Sequence, residues 1–293
     1  VYNRQKNLNT GMINRQAGEL YIVATPIGNL DDITQRAISI LKSVDFIAAE
    51  DTRHSARLLQ HLDIATPMIA YHEHSDAKRL QKISQLLADG KSIALISDAG
   101  TPLISDPGYQ LVKAVRQQGI NVVPIPGVCA MVTALSVAGM PSDRFVFEGF
   151  MPAKKAARCQ YLTALVREQR TLIFYESSHR ILASITDMKD ILGSERIAVV
   201  ARELTKTFET VLDGSLAALV DTITADANQQ RGEFVVIVSG YKKSDEFVSI
   251  DESVIKMMEA LLEELPIKKA AAICAKLTGL NKRDLYQWAL EQK

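Results

Sequence analysis

The sequence predicts a two-domain α/β protein with a small helical tail. Over residues 19–148, short apolar runs rich in β-favouring side chains alternate with helix-length segments. Over residues 149–243 a second, less regular set of such elements follows, and over 249–293 the chain reads as short helices only. The first 18 residues are polar and read as a disordered or non-native extension.

The first strand is expected at Leu20–Thr25, ending in a Pro-Ile-Gly-Asn turn cluster before Asp31 and Asp32, which can cap a helix. The cadence repeats four times. Strands are expected near Asp45–Glu50, Met68–Tyr71, Ser92–Ser97 and Val122–Val123, with helices near 55–61, 76–87, 109–117 and 128–137. Strands apolar on both faces and separated by helices predict a largely parallel sheet covered on two sides. The pattern changes near Phe145–Pro152, where Gly149, Pro152 and a basic stretch predict a domain boundary, with 151–170 as a linker. Beyond it, strands at 171–175, 197–201, 209–212 and 234–238 and helices at 181–191 and 216–223 have shorter connections, which predicts a mixed sheet. A polar linker around Asp245 and Glu246 leads to three short helices broken at Pro266 and Gly279.

Lys and Arg total 34 and Asp and Glu 34, so affinity for nucleic acid must come from the distribution of charge. Three scattered cysteines without metal-ligand spacing point to a reducing cytoplasm and to no metal site. No apolar run reaches the ~20 residues of a membrane span, so no membrane association is expected.

Ligands of parallel α/β sheets collect beyond the carboxyl ends of the strands. Four such ends carry small, polar or Gly-Pro sequences: Pro26-Ile-Gly28-Asn, Glu50-Asp51-Thr-Arg53, Ser97-Asp98-Ala-Gly100-Thr101-Pro and Pro126-Gly127. Each alone is an ordinary turn; their shared position predicts a ligand cleft. Neither GxGxxG after the first strand nor GxxxxGK[ST] occurs, which argues against a dinucleotide or a nucleoside triphosphate.

The run Ser97-Asp-Ala-Gly-Thr-Pro-Leu-Ile-Ser-Asp-Pro-Gly108 resembles the bacterial 16S ribosomal RNA ribose 2′-O-methyltransferases that modify a cytidine of the decoding centre. So do Thr25–Leu30, Ala49–Arg53, Phe174–Arg180 and Arg202–Lys206. Those enzymes belong to the tetrapyrrole methylase superfamily, the class III methyltransferases dependent on S-adenosyl-L-methionine. The resemblance implies two α/β domains with the cofactor cleft between them, a homodimer, and 16S rRNA in the small ribosomal subunit as partner. It implies that Pro26, Gly28, Asp98, Gly100, Thr101, Pro126 and Gly127 hold the cofactor from one side, and Tyr175 and Glu176 from the other. Thr101 stands where tetrapyrrole-modifying relatives have an acidic residue, and Glu176 where many have methionine; both disfavour a porphyrinoid substrate. A tetrapyrrole or diphthine-type methyltransferase and a non-catalytic RNA-binding protein on the same fold are the rival readings.

For the chemistry, Glu50, Asp51 and Arg53 are expected to converge with Glu203 and Lys206 across the cleft, since a ribose hydroxyl needs a group to take its proton. Asp51 is the first choice of acceptor, with a desolvated, neutral Lys206 as the alternative. The competing reading makes Asp51 a helix cap paired with Arg53. Arg180 and Arg202 are expected to face RNA, with buried ion pairs as the competing role. Two basic clusters are expected to meet phosphate: Lys154 and Lys155 in the linker, and Lys268, Lys269, Lys282 and Arg283 in a tail that resembles a helix-turn-helix.

Overall fold

A computed structural model of the chain describes residues 17–72, 77–242, 251–280 and 282–291. The terminal extension up to residue 16 and the linker around Asp245 and Glu246 lie outside the described residues. The chain divides into two compact units, one ending at Gly240 and one beginning at Tyr241.

The first unit contains both sheets. Strands β1 (Glu19–Val23), β2 (Phe46–Ala49), β3 (Met68–Ala70), β4 (Ile93–Ile96) and β5 (Asn121–Ile125) form a parallel sheet in the order β3-β2-β4-β1-β5. Alternate residues of one strand enter opposite cores: Ile93 and Leu95 pack with Leu20, Leu87 and Leu111, while Ala94 and Ile96 pack with Leu41, Ile47 and Leu59. All four residues of β4 are buried, as expected of a strand covered on both faces.

The helices are α1 (Gln35–Ser43), α2 (Thr52–His61), α3 (Ala77–Ala88), α4 (Tyr109–Gln117) and α5 (Ala130–Val137). Asp31 and Asp32 do not cap α1. The Asn29 side chain accepts from the Asp31 N–H and closes a single 3₁₀ turn over Leu30–Asp32, so that the Thr34 hydroxyl becomes the cap, accepting from the Ala37 N–H at 3.1 Å.

The second sheet is mixed. It comprises β6 (Phe145–Phe150), β7 (Thr171–Ser177), β8 (Ile197–Arg202), β9 (Thr210–Ser215) and β10 (Glu233–Val238), in the order β6-β7-β10-β8-β9. Only the β6–β7 pair is parallel. The position expected for the domain boundary falls inside β6, at a register shift between Phe147 and Gly149. One face of this sheet packs on α6 (Lys155–Leu165), α7 (Ile181–Leu192) and α8 (Leu216–Ala225) through Leu162, Ile185, Met188 and Leu219. On its other face, Ile173, Val199, Val235 and Ile237 pack against Ala134, Met131 and Leu135 of α5. A helix with so little polar surface, although it follows the last strand of the first sheet, thereby packs on the second.

The stretch expected as a linker is in fact crossed by α6. Its basic residue Arg158 points inward and is 4% exposed, bonded through Nε to Asp187 at 2.8 Å.

The second unit is a three-helix cluster, α9 (Glu252–Glu264), α10 (Ile267–Thr278) and α11 (Lys282–Glu291), around Met258, Ala271, Cys274 and Leu285. Pro266 precedes α10 and Gly279 ends it in the left-handed conformation at φ +74°.

Candidate active site

The loops at the carboxyl ends of the parallel strands are tied to one another by hydrogen bonds in which main-chain groups take part every time. Thr25, after β1, exchanges two hydrogen bonds with Gly100, after β4, at 2.8 and 3.0 Å. Thr101 Oγ1 donates to the Val128 carbonyl in the loop after β5 at 2.8 Å. The Asp51 N–H, after β2, donates to Asp98 Oδ1 at 3.0 Å. Four loops from four strands therefore act as one rim.

Glycine is required at two points of that rim. Gly100 has φ +81°, and a Cβ there would sit 3.3 Å from Ile27 Cγ2. A Cβ on Gly28 would lie 2.4 Å from Lys206 Cγ, where the rim meets the second sheet. Asn29 completes this contact, its N–H donating to Thr205 Oγ1 at 3.0 Å.

Between the rim and the second sheet lies a cleft of about 460 Å³, within the range of small-molecule sites. It is lined by Glu50, Asp98, Gly100 and Thr101 from the rim and by Tyr175, Glu176, Glu203 and Lys206 from the opposite wall. Pro26, Gly28, Pro126 and Gly127 are not among its lining residues; their neighbours Ile27 and Cys129 are. Asp51 and Arg53 stand outside the lining.

Asp51 caps α2, its Oδ1 accepting from the Arg53 N–H at 2.8 Å. Its Oδ2 lies 3.3 Å from the guanidinium of Arg53, which is itself almost wholly exposed. That hydrogen-bonded pairing holds the Asp51 carboxyl below its ordinary pKa. Lys206 Nζ is clasped between Glu203 Oε1 at 2.8 Å and Glu233 Oε2 at 2.7 Å. Burial works to lower the Lys206 pKa, but the hydrogen bonds to the two carboxylates outweigh it, and the ammonium is held above its ordinary value. Burial likewise works to raise Glu203, yet Lys206 and the Glu233 N–H leave its carboxyl lowered. This geometry makes Asp51 an anchor for Arg53 and leaves Lys206 protonated.

Glu176 is 2% exposed and turns its carboxylate to Ser184 Oγ at 2.6 Å and the Arg180 guanidinium at 2.8 Å. Arg180 also bonds the Met151 carbonyl at 3.2 Å. Arg202 is buried and donates to the carbonyls of Arg231 and Phe208 at 2.7 and 3.1 Å. Both arginines thus serve internal partners. Lys154 and Lys155 are exposed at the start of α6, Lys155 lying 3.6 Å from Asp187. Lys268 and Lys269 are exposed on α10, as is Lys282 on α11; Arg283 lies on α11, its side chain outside the description.

Sequence reasoning missed Asp106. It follows two non-glycine residues with left-handed backbone, Leu103 at φ +73° and Ser105 at φ +63°, a conformation that side chains other than glycine seldom adopt. The strained loop turns Asp106 into the cleft beside Cys129 and Tyr175. Burial, with the Asp98 carboxylate adding to it, pushes the Asp106 carboxyl up to about 6 against a hydrogen bond from Ser97. Across from it, burial raises the Tyr175 hydroxyl, whose oxygen accepts from the Met131 N–H at 3.1 Å. In sequence, Ser105-Asp106-Pro107-Gly108 reads as a turn, and nothing local marks the burial that the second sheet imposes.

Among the described residues, no helix is long and apolar enough to cross a membrane, and no group of three His, Cys, Asp or Glu side chains is placed to hold a metal ion.

Comparison with known proteins fits this arrangement. Residues 19–220 match the family described as tetrapyrrole (corrin/porphyrin) methylases, and residues 248–293 match the RsmI C-terminal HTH domain. The chain is 54% identical over 277 residues to ribosomal RNA small subunit methyltransferase I of Pseudomonas aeruginosa, covering 94% of this chain and 98% of that protein. It is 51% identical to the protein of the same name from Escherichia coli O157:H7, covering 94% and 96%. Among solved structures, the cobalt precorrin-4 methyltransferase CbiF superposes with a TM-score of 0.57 at 17% identity, covering 75% of this chain and 94% of that one. Diphthine synthase superposes with a TM-score of 0.54 at 12% identity, covering 76% and 90%. These structural likenesses are of fold alone. From the match over most of its length and the identity to curated relatives, the chain belongs to the tetrapyrrole methylase family, in the group of ribosomal RNA small subunit methyltransferase I.

Proposed function

We propose that this protein transfers a methyl group from S-adenosyl-L-methionine to the ribose 2′-oxygen of a cytidine in 16S rRNA, acting as a homodimer on the small ribosomal subunit. The observation that carries this reading is the 54% identity, over 277 residues, to a protein named for that class of reaction. The cleft supports it.

The residues present suit the cofactor. The linked loops offer close backbone approach at Gly100, where any Cβ would press on Ile27, and the carboxylates of Asp98 and Glu50 line the same wall, suited to a cationic ligand. Ile27, Gly100, Thr101 and Cys129 would hold the adenosine and amino-acid portions, with Tyr175 closing the opposite side. When bound, S-adenosyl-L-methionine supplies an electrophilic methyl carbon on a positively charged sulfur.

The chain's own task is to align the ribose and to move one proton. In this reading the Asp106 carboxylate would take the 2′-hydroxyl proton, and the cofactor, when bound, would supply the methyl group to the ribose oxygen and leave as the neutral thioether. A carboxyl near pKa 6 is ionised at neutral pH yet a far better acceptor than one at 3.8. Lys206 stays charged within its carboxylate clasp, and Lys154, Lys155, Lys268, Lys269, Lys282 and Arg283 are the cations this reading assigns to phosphate.

The test is transfer of labelled methyl to isolated small ribosomal particles, with mapping of the modified nucleotide and free uroporphyrinogen as a parallel acceptor. Label on a cytidine 2′-oxygen is expected. Label on the porphyrinoid alone, or on a base nitrogen, overturns the reading.

A further inference from the structure

Beside the cleft, on the far side of Glu203 and Gly232, runs a second groove lined by Arg202, Phe208, Asn228 and Arg231. Glu203 and Gly232 line both hollows, so the groove continues the cleft.

Its wall is unusually well fixed for an exposed loop. Arg202 holds the backbone on both sides, through the Arg231 and Phe208 carbonyls and Thr210 Oγ1. Glu203 at φ +50° and Thr205 at φ +65° are left-handed. The Glu203 carboxylate folds over Gly232, where a Cβ would lie 2.5 Å from it, and accepts from the Glu233 N–H at 2.9 Å. Glu209 accepts from the Thr205 N–H at 2.6 Å.

On this fixed loop the Phe208 side chain belongs to none of the hydrophobic clusters of the described residues, and the residue is 69% exposed. An isolated apolar residue at a surface is ordinary. Here, however, strain and a buried guanidinium are invested in holding the backbone that presents this exposed ring. The acidic groups nearby are already engaged, Glu203 with Lys206 and Glu209 with the backbone. The Arg231 side chain is exposed.

Single-stranded RNA is held by bases stacked on aromatic rings and by cations on the intervening phosphates. We propose that this groove is the subsite for the nucleotide next to the methylated cytidine, its base stacked on Phe208 and its phosphate met by Arg231. Continuity with the cleft fixes the occupant as the same RNA strand. The inference rests on the proposed RNA substrate.

The test compares Phe208→Ala, Phe208→Trp and Arg231→Gln with the parent protein. Phe208→Ala is expected to raise KM for small ribosomal particles at least about fivefold, in line with the loss of one stacked base. Phe208→Trp should restore it, and Arg231→Gln should raise KM while flattening its salt dependence. The affinity for S-adenosyl-L-methionine, by calorimetry, should not move in any of the three. Binding of a short single-stranded RNA oligonucleotide is followed separately, since it needs no turnover: loss of binding in Phe208→Ala alone supports the subsite even if no methyl transfer to particles is found. An unchanged KM and unchanged oligonucleotide binding in Phe208→Ala overturn the proposal. So does a change in the oligomeric state of the free Phe208→Ala protein by sedimentation, which would make the groove a contact between copies of the chain.

Discussion

The two walls of the cleft are built on different principles. The rim on the parallel sheet rests chiefly on backbone: Thr25 and Gly100 are joined main chain to main chain, and the Thr101 hydroxyl and the Asp98 carboxylate each bond a main-chain group, of Val128 and of Asp51. The wall on the mixed sheet is a matter of charged side chains, in which Lys206 spans Glu203 and Glu233 and Arg202 ties down the loop between β8 and β9. A wall made of backbone tolerates little change of shape, whereas one made of ion pairs tolerates shape and responds to charge and pH.

Asp106 lines the cleft from the first wall, and its substitution should have the largest effect. Asp106→Asn is expected to lower kcat roughly 10²–10⁴-fold, the usual contribution of a positioned base, with cofactor affinity preserved. In the parent protein kcat/KM should rise tenfold per pH unit below about 6 and level off above it. Stability provides a separate check. The folded carboxyl titrates near 6 and the unfolded one near 3.8, so its ionisation opposes folding at neutral pH and has no effect below the lower value. Asp106→Asn should therefore melt higher at pH 7.5, by no more than roughly 2–4 °C since the group is partly solvated, and the gain should vanish below about pH 4. A parent-like kcat in Asp106→Asn removes the proton from this residue.

Gly100→Val probes the backbone wall. It forces a β-branched residue into φ +81° against Ile27 and should weaken cofactor binding at least about tenfold at a strain cost of roughly 1–3 kcal/mol. Calorimetric affinity equal to the parent's would show that the loop after β4 does not carry the cofactor.

Lys206→Met probes the wall of charges. It leaves Glu203 and Glu233 facing each other without a cation and should destabilise the protein by roughly 1–2 kcal/mol, modest because the cluster is part-solvated. Glu203 is held below its ordinary pKa in the parent, so the stability it lends is present above that value and lost on acidification. The gap between parent and variant should close as the pH falls below the ordinary carboxylate range. A gap independent of pH would mean that lost packing, not charge, is responsible.

Asp51→Asn should do least. Asparagine caps helices about as well as aspartate, so stability should change by only a few tenths of a kcal/mol, and turnover should stay within about twofold. A loss of 10² or more in kcat would make Asp51 the proton acceptor after all.

The contrast between the walls also explains what the sequence made legible. Glycine and proline at strand ends record backbone demands locally, which is why Gly100, Thr101 and Asp98 could be picked from the chain. The alternation of β1 to α5 was readable for a related reason, since burial on two faces needs a recurrent apolar run. Arg180 and Arg202 each spend a hydrogen bond on a carbonyl 29 residues away, that of Met151 and of Arg231, and the burial of Asp106 depends on how the chain folds around its loop, so a chain read in order leaves their internal roles only as an alternative. Helix α6 was hidden in the same way, since Lys154 offers no capping side chain and Arg158 finds its partner only in α7.

The middle position of β10 in the second sheet has a consequence for how the protein is born. Strands β1 to β5 are complete once residue 125 has been synthesised, and the parallel sheet can close behind the advancing chain. The second sheet cannot, because the strand that joins β7 to β8 is the last of its five to emerge. Until residue 238 leaves the ribosome, two ribbons stand side by side with open edges, each too narrow to be stable alone. The nascent protein therefore passes through an interval in which one half of its cleft is finished and the other is vulnerable to pairing with a neighbour.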